Sequence, residues 1–236
     1  MIKIIKDSLK TGFIYTAVGK FSYILVNLII NSVLSRILTP GEYGIVAVCQ
    51  VFIFFFQMLV EAGMGPAIIQ NKKLDENDIG VLFGYSVLIA ILMGIFFVLF
   101  GNLLVIFYNN RIYIKLSWLL AITVMFSGFN VVPSALLNKE KRFKTVNVNQ
   151  FISSCISGIV GIMLALNNSG VYSLIWSSII LSIVSFSLNL LQVHIRFTCK
   201  LNLKILKKII NFSSYQFLFN FINYFSRNGD NLLVGK

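Results

Sequence analysis

IGVLFGYSVLIAILMGIFFVLFGNLLVIFYNN, residues 79–110, runs 32 positions without a charged side chain. A second stretch, 145–193, runs 49 positions in the same way, interrupted only by the polar NNSG at 167–170. About 20 apolar residues carry a helix across a hydrocarbon layer roughly 30 Å thick, whereas a helix or strand in water needs a polar face. Both stretches therefore read as membrane crossings, and the fold class as an all-α, polytopic helical bundle.

Composition supports this: 57% of residues are hydrophobic, 12% are charged, and the mean hydropathy is +0.85. A net charge of +12 would suit a nucleic-acid binder only if it formed a soluble basic face. Here the charges sit between apolar runs, so they read as topology signals and no nucleic-acid partner is expected. Cys49, Cys155 and Cys199 have no metal or redox spacing. Cys49 and Cys155 read as small apolar helix residues.

Taking each uncharged run as a span predicts seven helices, at about 11–34, 44–69, 79–107, 116–137, 146–166, 171–193 and 209–234. The N-terminal segment is basic and then apolar, but its apolar part is too long for a signal peptide and no cleavage pattern follows, so it counts as the first span. The expected organisation is a six-helix transmembrane bundle over 1–208, ending in a basic cytoplasmic loop at 194–208, then the first helix of a second bundle over 209–236. The loop reads as an amphipathic helix on the anionic inner leaflet. Fourteen Lys and Arg residues fall at the N-terminus and in the second, fourth and sixth connections, against three in the other connections, which places the N-terminus in the cytoplasm.

No catalytic constellation is present. The sequence has one histidine, His194, and no HExxH, GxSxG or Walker pattern, so neither an enzyme, a cofactor site nor a metal site is expected. Asp75, Glu76 and Asp78 read as a solvated loop that begins the third span. Polar stripes are the informative feature. On the first span Gly12, Thr16, Lys20, Tyr23, Asn27, Asn31 and Ser35 recur three or four apart, as do Ser213, Gln216, Asn220, Asn223, Arg227 and Asn231 on the seventh, with Asp230 adjacent. Ser173, Ser177, Ser182, Ser185, Asn189 and Gln192 mark the sixth span, and Gln50, Gln57 and Glu61 the second. On the fifth, Ser154, Gly158, Gly161 and Ala165 read as a close-packing face. A charge at membrane depth costs at least about 2.5–3.5 kcal/mol at a helix centre and so marks a partner or wet pathway. Lys20, Glu61, Arg227 and Asp230 are the candidates.

A shift of 200 residues lays Lys20 on Asn220, Tyr23 on Asn223, Asn27 on Arg227 and Asn31 on Asn231, with the stripes in register. That is the pattern of a transporter built from two repeats, with substrate between them near the midplane.

The stretch LSRILTPGEYG, 34–44, reads as a helix stop and restart: Thr39 suits an N-cap, Pro40 the first helical position, and Glu42 completes a capping box. It also resembles the segment after the first helix in polysaccharide exporters, the lipid-linked oligosaccharide flippase branch of the multidrug, oligosaccharidyl-lipid and polysaccharide exporter superfamily. EAGMGPAIIQ (61–70), RFKTVNVNQ (142–150) and FSRNGDNLLVGK (225–236) resemble the same family in the same order. The resemblance implies a flippase of the bacterial inner membrane that moves undecaprenyl-pyrophosphate-linked repeat units by alternating access, for O-antigen, capsule, exopolysaccharide or teichuronic-type polymers. It implies the lipid-linked oligosaccharide as substrate, membrane lipid as surroundings, and a glycan polymerase and chain-length regulator as candidate partners. On this sequence Lys20 and Arg227 become anion contacts, Asn27, Asn31, Asn220 and Asn223 sugar contacts, and Asp230 and Glu61 candidate proton or ion coupling sites. A drug/cation antiporter, a scaffold subunit and a membrane glycan polymerase are the rival readings. Since family members have two bundles, the expectation for 236 residues is one bundle plus one helix, insufficient alone for export.

The orientation is testable with cysteines introduced into a protein whose own Cys49, Cys155 and Cys199 have been replaced. A cysteine at Ser169 should react with an impermeant thiol reagent on intact cells and one at Lys207 should not; the reverse pattern would invert the topology.

Overall fold

The computed structural model describes residues 2–61, 63–71 and 74–195, together with Phe219, Ile222 and Asn223. Eight helices are described: α1 (Ile2–Ile37), α2 (Pro40–Glu61), α3 (Met64–Gln70), α4 (Glu76–Tyr108), α5 (Ile112–Phe129), α6 (Val131–Lys139), α7 (Phe143–Leu166) and α8 (Val171–Leu190). No strand occurs among the described residues. Among the described residues five helical stretches are long and apolar enough to cross a membrane: α2, α4, α5 continued by α6, α7 and α8. At 1.5 Å per residue, the 33 residues of α4 make a rod of about 50 Å, longer than the hydrocarbon layer.

Local chemistry sets the ends. Glu42 accepts from the Thr39 amide at 2.7 Å and from its hydroxyl at 2.9 Å, while the Thr39 hydroxyl accepts from the Glu42 amide at 3.4 Å. This is the expected capping box, with Pro40 opening α2. Asp75 caps α4 by accepting from the Asp78 amide at 2.7 Å. Asp78 itself is buried, a correction to the solvated reading of that acidic run.

Two expected spans are broken. The run 44–69 divides at Gly63, whose φ of 73° is the left-handed conformation that glycine adopts without a Cβ clash. The span expected at 116–137 is α5 followed by α6, with Asn130 between them. Uncharged length reveals apolar character and leaves such an offset invisible. The first helix extends beyond 11–34 at both ends. The basic segment 196–208 and, apart from three residues, the span at 209–234 lie outside the described residues.

Helices α4 and α5, α7 and α8, and α1 and α7 form the closest pairs. Small residues allow it: a Cβ built at Gly158 would strike Ile30, and one at Gly161 would press on Ser177. Ser154 and Ala165 are buried on the same face, as its composition implies. Glu42 lies against Gly170, so the α1–α2 and α7–α8 connections share one end of the bundle.

Two apolar clusters hold the elements. The larger is built around Phe56, whose ring meets Phe97 edge-on at 5.0 Å, with Leu116, Leu120 and Ile175. The smaller joins α3, the start of α4, and α6 through Ile68, Leu82 and Val132. The breaks at Gly63 and Asn130 fall where one cluster gives way to the other. Outside, Phe21, Leu25 and Leu28 of α1 and Phe96, Leu99 and Leu103 of α4 are more than half exposed, the surface a lipid-facing helix presents.

Gly128 is a tight point of the larger cluster, since a Cβ there would collide with Val60 and Ala90. Gly128→Val should destabilise the detergent-solubilised protein by about 1–3 kcal/mol, as overpacking does. Gly44→Ala, where nothing lies within 4 Å of the added methyl, is the control and should leave the melting temperature unchanged or slightly raised.

Candidate functional site

A cavity of about 540 Å³ opens inside the bundle, walled by α1, α2, α5, α7 and α8. From α1 come Tyr23, Asn27 and Asn31, three members of the stripe read from the sequence. From α2 come Gln50, Gln57 and Glu61; from α8, Ser177, Ser182 and Ser185. The structure thus gathers the stripes of three separate spans around one space. Lys20 is exposed and absent from the described lining, one turn ahead of Tyr23 on α1. Asn223 is exposed and also absent from it, while Asn220, Arg227 and Asp230 lie outside the described residues. Glu61 supplies the single charge among the described lining residues.

Sequence reading missed one wall. Thr123 and Ser127 of α5 and Asn130, which follows it, line the cavity. Their spacing of four and then three is the available signal, but two hydroxyls and one asparagine in a long apolar run make a weaker stripe than those of the other spans. A second space of about 330 Å³ between α3 and α6 shares Glu61, Ser127, Asn130 and Val131 with the main cavity. Glu61 and Asn130, at the two helix breaks, therefore border both spaces. The Glu61 carboxylate lies beside Gly65, where a Cβ would come within 3.1 Å of Oε1.

Hydrogen bonding gives the cavity a direction. Arg142 donates Nη1 to the Gln192 carbonyl at 2.7 Å and Nη2 to Gln192 Oε1 at 3.1 Å. Gln192 Nε2 donates to Asn149 Oδ1 at 3.2 Å, Asn149 Nδ2 to Asn189 Oδ1 at 2.8 Å, and Asn189 Nδ2 to Asn130 Oδ1 at 2.9 Å. Asn130 Nδ2 then donates to Ser185 Oγ at 3.3 Å. Every bond runs the same way. A guanidinium has no acceptor, so Gln192 must present its oxygen to Arg142, and each amide downstream is oriented in turn. Asn149 and Asn189 are 2% and 3% exposed, deep enough that an unpaired amide would be costly. Arg142 also pairs with Glu140 at 3.5 Å outside the bundle.

Other polar side chains turn back onto their own helices. Asn27 donates to the Tyr23 carbonyl at 2.8 Å, Ser178 to Leu174 at 3.0 Å, and Ser182 to Ile179 at 2.8 Å. Such bonds satisfy the donor locally and leave the side-chain oxygen for the cavity. Gln57 donates to Ser127 Oγ at 2.8 Å, tying α2 to α5. No group of His, Cys, Asp or Glu among the described residues could hold a metal.

Comparison with known proteins agrees with a membrane role. An uncharacterised membrane protein of the cps region from Klebsiella pneumoniae is 24% identical over 94% of this chain and 46% of its own length. A succinoglycan biosynthesis transport protein of Rhizobium meliloti is 24% identical over 66% of this chain and 31% of its own. A teichuronic acid biosynthesis protein of Bacillus subtilis is 19% identical over 98% and 48%. The chain thus spans about half the length, or less, of these curated relatives. No solved structure matches it. With a match to the family over residues 33–236, this bundle with its polar interior belongs to the polysaccharide biosynthesis proteins.

Proposed function

We propose that this chain forms one wall of the pathway of a flippase that carries undecaprenyl-pyrophosphate-linked repeat units across the bacterial inner membrane, with its N-terminus in the cytoplasm. The observation that carries this reading is the cavity itself: amides and hydroxyls enclosed by helices whose outer faces are apolar. A glycan is dense in hydroxyl groups and cannot shed its water in lipid without replacement partners. Side-chain oxygens of Asn27, Asn31 and Gln57 supply acceptors for sugar hydroxyls, while Glu61, bordering both spaces, is the coupling candidate. The span at 209–234 would close the pathway with Asn220, Asn223 and Asp230, and Arg227 would meet the diphosphate, as the register of its stripe with that of α1 supports. Lys20, at its place ahead of Tyr23, would meet the same anion at the mouth. A glycan polymerase and chain-length regulator are the proposed partners.

Drug/cation antiport is the second reading, favoured by one feature, that the only charge on the described lining is a carboxylate. A strain deleted for the protein separates the two. Asn27→Leu together with Gln57→Leu, placed in the protein that carries this chain, should lower surface polymer at least about tenfold while membrane abundance stays within about twofold, since each lost acceptor leaves a buried hydroxyl unpaired at roughly 1–3 kcal/mol. Undiminished polymer, or drug efflux with no glycan phenotype, would overturn the glycan reading.

A further inference from the structure

The amide chain from Arg142 to Ser185 has two self-consistent arrangements. Turning Gln192, Asn149, Asn189 and Asn130 end for end, and rotating the Ser185 hydroxyl, would keep every link beyond Gln192, with each donor become an acceptor. Turning one amide alone would set oxygen against oxygen on one side and N–H against N–H on the other. Two bonds would then be unmade beside residues as buried as Asn149 and Asn189. The amides therefore turn together or not at all. Arg142 selects between the two arrangements, because a guanidinium only donates and Nη2 needs the oxygen of Gln192.

The choice is read at the far end. Ser177, Ser178 and Ser182 of α8 line the cavity with their protons already given to carbonyls, of Ser157 at 3.0 Å, Leu174 at 3.0 Å and Ile179 at 2.8 Å. Ser185, on the same helix and in the same lining, accepts from Asn130 at 3.3 Å and donates to no described residue. In the observed direction its proton is left over. In the reverse direction that proton would go to Asn130 Oδ1, and Ser185 would offer lone pairs only, like the other three serines. A sugar hydroxyl both donates and accepts, so a wall of acceptors alone would satisfy half of it.

We propose that Arg142 is a positioning residue for transport: from the α6–α7 connection it sets the direction of the amide chain and so keeps the Ser185 hydroxyl a donor to the carried unit. Only the effect on export rests on the glycan reading above. The bonds of Arg142 go to Gln192 and Glu140, and neither lines the cavity. About 10 Å of α7 separates it from Asn149, so the alignment of successive amides carries the effect.

Gln192→Glu tests this by exchanging one NH2 for an oxygen. Position 192 is exposed, so the carboxylate stays ionised beside Arg142; with no proton to give, it accepts from Asn149 and reverses the three amides beyond it. Infrared spectroscopy of the purified protein that carries this chain reads the result at the thiol introduced by Ser185→Cys, with every native cysteine replaced, Cys49, Cys155 and Cys199 among them. With Gln192 in place the S–H band should lie at the frequency of a free thiol, and Gln192→Glu should move it to the lower frequency of a thiol that donates. The exchanged pair, Arg142→Gln with Gln192→Arg, keeps a donor-only group facing Asn149 and should leave the band where it was. In cells Gln192→Glu should lower surface polymer at least about fivefold at a membrane abundance within about twofold, and the exchanged pair should keep most of it.

An unmoved band, or one already low with Gln192 in place, would overturn the control by Arg142. A fall in abundance with Gln192→Glu would mean that the chain breaks instead of reversing, which overturns it as well. A band that moves while polymer stays at the native level would sink the role in transport. The infrared measurement needs no substrate, so it still decides on Arg142 if the Asn27 and Gln57 test above goes against the glycan reading.

Discussion

Inside lipid a polar group has only the protein to bond with, and the arrangement of this bundle follows from that constraint. Buried serines turn their protons onto carbonyls three or four residues back: Ser153 onto Asn149 at 2.7 Å and Ser86 onto Phe83 at 2.8 Å. Buried asparagines cannot all do so, because an amide has two ends to satisfy. Asn149, Asn189 and Asn130 satisfy theirs by bonding to one another across α7, α8 and the α5–α6 break. Their pairing fixes the mutual register of those helices more sharply than apolar contact could, since a shift of one residue would strand several amides at once.

This rule relaxes around the cavity, as it also does at the Tyr85 hydroxyl of the smaller cluster, buried without a partner among the described residues. Thr123 Oγ1 has no partner among the described residues, Asn27 lines the space with its amide nitrogen bonded to its own helix, and Glu61 brings a carboxylate to the junction of two cavities. Each would be a defect in a packed core. Around a space that admits water and ligand, they become the groups with something left to offer. The offsets at Gly63 and Asn130 belong to the same economy of construction, because they let α3 and α6 form a small separate core and leave room for the second space beside Glu61.

Legibility varied with residue type. The α1 stripe was plain in the sequence, as asparagines at intervals of four in an apolar helix have no cheap place against lipid. Its gathering with Gln57, Glu61 and Ser185 around one cavity was only implied, for periodicity gives the face of a helix and says nothing about which neighbour that face meets. Thr123 and Ser127 went unread because hydroxyls can be satisfied within their own helix, and Asn130 because a single asparagine in an apolar run makes no stripe. Lys20 shows the converse. Its spacing placed it on the polar face, while its position along α1 left it exposed ahead of the described lining.

What the sequence by itself determined is the membrane class, the capping box at Thr39 to Glu42, and the polar faces of the spans, because each follows from local pattern and the cost of polar groups in hydrocarbon. Tertiary structure alone decided the two helix offsets, the cavity wall on α5 and the one-way amide chain. These depend on bonds between residues such as Asn130 and Asn189, 59 positions apart, and which donor meets which acceptor is settled only when the helices pack.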